Sequence, residues 1–109
     1  AGAVCRAVRA HFQVRTEVNL YNWRYTQWAR ERGIIVFVLY KVFEYKLVDV
    51  ARATSARNPG ITSNTVWTIQ HAILCGRLET KVVEQIVLAA IRDLQTYTSR
   101  GRSGSIGRG

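Results

Sequence analysis

Chemistry in this chain begins with guanidinium. Sixteen Lys and Arg face seven Asp and Glu, a formal charge of +9, and thirteen of the sixteen cations are Arg. The planar guanidinium forks onto paired phosphate oxygens and sheds its water more readily than an ammonium, so this choice favours phosphate contact over solubility alone. The charge sits at the ends. Six Arg and two Glu lie in residues 1–32, seven cations and five acids in 33–99, and three Arg with no acid in 100–109. Basic flanks around a nearly neutral middle point to a polyanionic partner, with solubility as the plainer alternative.

Other chemistry is thin. Glu44, Asp49, Glu79, Glu84 and Asp93 are spaced like solvated faces and ion-pair partners rather than as a catalytic pair. Cys5 and Cys75 are far apart, with no CxxC, and His11 and His71 read as isolated structural residues. No P-loop, GxGxxG, HExxH or nucleophile elbow is present. An enzyme, a metal site and a cofactor are therefore not expected, and two unpaired thiols fit a reducing compartment. The longest apolar run, Ile34 to Tyr40, is far too short to span a bilayer, so no membrane partner is expected.

The elements that must position these cations read as helical throughout. A length of 109 residues with 48% hydrophobic content suits one small domain. Residues 1–19 form a basic N-terminal arm, in part helical, with Val4, Val8 and Phe12 at i, i+4, i+8. Three readings stand for it: an arm lying on nucleic acid, a packing helix, or an Arg-rich targeting segment. Leu20–Arg32 carries Tyr21, Tyr25 and Trp28 at helical spacing, and Gly33 is placed to end that helix. Ile34–Ala56, free of Gly and Pro, reads as one long helix apolar over most of its circumference, although its first half, IIVFVLY, also fits a buried strand on β-branching alone. So small a chain has little surface with which to cover such a helix, which suggests a dimer. Arg57-Asn58-Pro59-Gly60 predicts a type II turn, with Thr62 or Ser63 as N-cap of a helix whose stripe is Val66, Ile69 and Ile73. Gly76 breaks that helix before a closing one over 77–99, and 100–109 (RGRSGSIGRG) reads as a flexible Arg/Gly tail.

Short helix, long helix, short helix, with cations near both turns, is the histone-fold pattern, and from Gly60 onward the chain resembles core histone H2B. The resemblance is carried by Ile61-Thr62-Ser63, then Thr68, Leu74, Gly76 and Leu78, and by Tyr97-Thr98-Ser99 at the close. Glu84 after Val82-Val83 is similar to the family's Val-Ser-Glu, and Gly33-Ile34 is similar to its first loop. The match covers about 39 residues, 61–99, and is loose before them. Three positions depart inside it. Cys75 stands for a proline, Arg77 for an acidic-patch glutamate and Thr96 for the ubiquitin-accepting lysine, so that regulatory surface is not carried over.

The resemblance implies an all-α histone fold over 20–76 with an added C-terminal helix over 77–99. It implies a head-to-tail heterodimer with a 2A-type histone, other core histones in an octamer-like assembly, and sequence-independent packaging of DNA in a nucleus and chromosome, or in a virion if virus-encoded. The implied DNA contacts are Arg30, Arg32, Gly33 and Ile34 at the first loop, and Arg57, Asn58, Gly60, Thr62 and Ser63 at the second. Arg6, Arg9 and Arg15 would add contacts from the arm, while Phe43, Leu47, Val50, Ile69, Ile73 and Leu74 would face the partner chain. A small RNA-binding or ribosome-associated helical protein is the alternative that basic ends and aromatics fit equally well.

Overall fold

A computed structural model describes the backbone of residues 1–106 and the side chains through residue 96. Its described residues form five helices and no strand: α1 (Gly2–Phe12), α2 (Ala29–Lys41), α3 (Leu47–Ala53), α4 (Pro59–Leu74) and α5 (Thr80–Ile106). The all-α expectation holds. The last turns of α5 overlap the tail expected at 100–109, and residues 107–109 lie outside the described residues.

Helix α2 is the axis of the packing. Every residue from Glu31 to Val36 is buried, as are Val38 and Leu39, because α1, α3, α4 and α5 all pack against this one helix. Four intramolecular partners thus cover the apolar circumference that suggested a second chain. The core gathers Val4 and Val8 of α1, Leu20 of the following turns, Ile34, Ile35 and Leu39 of α2, Val50 of α3, Val66 and Ile69 of α4, and Ile86 and Ala90 of α5. Residues 1–19 therefore do not lie free as an arm. They begin with a packing helix whose apolar face meets α2 and α5.

Two expected helices resolve differently, each for a local reason. Residues 20–28 are successive tight turns instead of a helix, with backbone bonds from Asn22 N to Asn19 O and from Tyr25 N to Asn22 O. The Oδ1 atoms of Asn19 and Asn22 accept from the amides of Tyr21 and Arg24, offering the backbone an alternative to helix. The segment expected as one helix over 34–56 is α2 and α3, separated at Val42–Lys46. There Glu44 adopts a left-handed φ of 59° and the Tyr45 amide turns back to the Leu39 carbonyl.

Helix ends follow known capping chemistry. Gln13, Ser55 and Gly76 are left-handed, and the following amides return to carbonyls five residues earlier: Val14 to Arg9, Ala56 to Ala51, Arg77 to Ala72. Gly76 thus ends α4 as its position suggested. Gly33 ends nothing, because it lies within α2 where α4 crosses. The expected type II turn at 57–60 is instead the start of α4. Asn58 caps it, its Oδ1 3.1 Å from the Ile61 amide, and Pro59 takes the first turn, where no amide hydrogen is needed.

One packing detail carries a pH signature. The half-buried Tyr21 phenol is pushed up from its ordinary value of 10.0, first by burial and then by its hydrogen bond with the Cys5 thiol. A phenol held neutral in the folded chain contributes stability that is complete below the unfolded value and lost as pH rises past it toward the folded one. Stability is therefore expected to fall as pH rises through the ordinary tyrosine value of 10.0 and to go on falling above it, and Tyr21→Phe should flatten that decline in urea unfolding curves.

Candidate nucleic-acid interface

Helices α2 and α4 flank an open cleft of about 540 Å³ with cationic side chains in its lining. Arg30, Arg32 and Arg77 line it beside Trp23, Asn64 and Thr68, and no carboxylate does. The Thr65 and Thr68 hydroxyls donate to the Ile61 and Asn64 carbonyls at 2.8 and 2.9 Å, so their oxygens can still accept from a ligand. Burial of apolar walls beside three guanidinium groups strengthens their field at the mouth.

The three arginines differ in what they have left to offer. Arg32 is 5% exposed, and its Nη1 donates to the carbonyls of Leu20, Asn22 and Tyr25 at 3.3, 3.1 and 3.2 Å. Its guanidinium also lies 4.6 Å over the Trp23 ring, and burial draws its pKa below the ordinary arginine value. Expected as a direct phosphate contact, Arg32 is instead almost wholly buried and acts as the clasp that holds the 20–25 turns onto α2, its Nη1 shared among three carbonyls. Arg30 is exposed, pairs with Glu31 Oε2 at 3.2 Å and lies over Phe12. Arg77 is exposed just past the Gly76 turn and forms no ion pair among the described residues.

The remaining expected contacts scatter. Gly33 and Ile34 are buried within α2, where their amides are committed to the helix, so they offer no loop amides. Arg57, Asn58, Gly60 and Ser63 are exposed at the start of α4, whereas Thr62 is buried and donates to the Pro59 carbonyl at 2.7 Å. Arg6 is held by Asp93 at 2.6 Å, whose hydrogen bond and charge raise its pKa. Arg9 donates to the Arg15 and Val18 carbonyls, and Arg15 pairs with Glu17. These arm arginines are spent largely inside the chain, with Arg15 the most exposed.

The expected partner-facing residues divide as well. Val50 and Ile69 are core, Phe43 and Ile73 are partly buried against it, and Leu47 is partly exposed at the start of α3. Only Leu74, 77% exposed, stands open, near Trp67 at 67% on the same helix. Trp23 and Arg77 were not among the expected site residues. Neither has a local signal, since both reach the cleft only through tertiary packing. His71 and Cys75, expected as isolated residues, lie four apart at the end of α4 and bring Nε2 and Sγ to 3.5 Å.

Among the described residues no helix is long and apolar enough to cross a membrane. No family model, curated protein or solved structure matches the chain.

Proposed function

We propose that this chain binds the nucleic-acid backbone without sequence specificity and packages DNA as a 2B-type histone-like subunit with a 2A-type partner. The observation that carries the reading is the α2–α4 cleft, lined by Arg30, Arg32 and Arg77 and by no carboxylate; the resemblance assigns Arg30 and Arg32 to DNA contact, and Arg77 joins them only through the fold. Arg30 and Arg77 act on phosphates directly, while Arg32 contributes charge and holds the wall. The exposed Arg57 beside the start of α4 extends the track, where the helix's first amides favour an anion. A net charge of +9 drives association by releasing counterions, whatever the base sequence.

Pairing of the histone type demands rearrangement: residues 20–28, here turns, would form the first helix, and Gly33 and Ile34, here inside α2, the first loop. Helices α2 and α3 must join into one helix so that two chains can cross, and Val42–Lys46 contains no glycine or proline to prevent it. Co-refolding with a 2A-type histone, followed by nuclease digestion of bound DNA, tests both halves. A stoichiometric complex with raised helicity and a protected DNA fragment is expected. A monomer indifferent to that histone, or a preference for structured RNA with no protected DNA, would overturn the reading.

A further inference from the structure

The outer face of α4 carries a second arrangement unrelated to the cationic groove. Trp67, His71, Leu74 and Cys75 fall at i, i+4, i+7 and i+8, and all four are exposed. The Trp67 and His71 rings are stacked, 5.3 Å between centroids and 5° between planes, which fixes the imidazole plane. Cys75 Sγ then lies 3.5 Å from His71 Nε2.

That separation has a chemical meaning. A tetrahedral zinc ion with bonds of about 2.3 Å to sulfur and about 2.05 Å to nitrogen holds the two donor atoms about 3.6 Å apart. His71 and Cys75 therefore already stand at one edge of such a tetrahedron, as neighbours on one helical turn. The site lies at the C-terminal end of α4, where the helix dipole favours a cation. Thiolate with imidazole is a donor set suited to zinc. Among the described residues, no group of three or more His, Cys, Asp or Glu could hold a metal ion.

We propose that His71 and Cys75 form half of a zinc site completed by the same two residues of a second copy of this chain. Two ligands per chain and four per ion set the stoichiometry at one zinc per two chains. The two-fold arrangement brings each α4 face against its counterpart. Trp67 and Leu74, among the most exposed apolar side chains described, flank the ion and are covered in the pair. Binding replaces two S–H bonds with two Zn–S bonds, releases two protons to solvent and changes no oxidation state.

The test uses the full chain under a phosphine reductant, which removes disulfide dimers. Zinc is expected to double the sedimenting mass at one ion per two chains, and a chelator to reverse it. Cobalt in its place should give the intense visible bands of a tetrahedral thiolate site. His71→Ala and Cys75→Ser should each weaken metal binding at least about tenfold, while far-UV circular dichroism stays unchanged because both side chains are exposed. Cys5→Ser should leave the response intact. Binding at one zinc per monomer without association, equal binding by Cys75→Ser, or no zinc response would overturn the proposal. The readout requires no nucleic acid, so it stands or falls separately from DNA packaging.

Discussion

Replacing Arg32 with alanine is expected to destabilise the chain by about 3 kcal/mol, on the order of 15 °C in Tm for a domain of this size. The loss has three sources. The carbonyls of Leu20, Asn22 and Tyr25 lose a charged donor, and the Leu20 bond is fully buried. The guanidinium face leaves the Trp23 ring. Trp23, whose Nε1 donates to the Thr54 carbonyl at 2.9 Å, then loses one side of its setting, and the link between the 20–25 turns and the end of α3 loosens. Arg32→Lys should recover about half, since an ammonium can reach a carbonyl but cannot spread flat over indole. Urea unfolding gives the energies, and near-UV circular dichroism reports on Trp23. Wild-type stability in the alanine variant would show that the turns hold without their clasp.

The second large effect is expected at Gly33. A Cβ built there would lie 2.8 Å from Ile69 Cδ1 and 3.0 Å from its Cγ1, with Thr65 Cγ2 at 3.5 Å. Both Gly33 and Ile69 are buried where α4 crosses α2, so Ile69 can give only by disturbing its own packing. Gly33→Val should therefore destabilise by about 2 kcal/mol despite removing a glycine from a helix interior. Gly33→Ala should stay near neutral, as about 1 kcal/mol of helix propensity offsets a smaller overlap. In an Ile69→Val background the Gly33→Val penalty should shrink by about 1 kcal/mol, a coupling that a double-mutant cycle reads directly. Additive losses would mean that the crossing relaxes elsewhere.

These two neighbours show where sequence reasoning reaches and where it stops. The third-helix stripe was legible because Val66 and Ile69 recur at helical spacing and do reach the core. Gly76 was legible because a left-handed helix end favours glycine. Gly33 carried the same letter but a different cause, the close crossing of α4, which depends on a residue 36 positions away. The turns at 20–28 had a local signal in Asn19 and Asn22, and the aromatic spacing of Tyr21, Tyr25 and Trp28 outweighed it; Tyr25 proves 62% exposed. The bend at Val42–Lys46 had none, since its left-handed residue is Glu44 and neither glycine nor proline marks it. For the site, charge and its clustering were readable, but the division of labour among arginines was not. Arg32, Arg6 and Arg9 are claimed by carbonyls or a carboxylate that only folding brings near.

The most direct measurement is the salt dependence of binding to random-sequence duplex DNA, by the chain alone and by Arg30→Ala/Arg77→Ala. Each phosphate neutralised contributes a slope of about −0.9 in log K against log salt. The wild-type chain should show a slope of about −3 or steeper, equal for unrelated sequences, and the double variant should be shallower by about 2. A shallow wild-type slope, a strong preference for one sequence that persists at high salt, or a double variant indistinguishable from wild type would contradict a backbone-binding groove between α2 and α4.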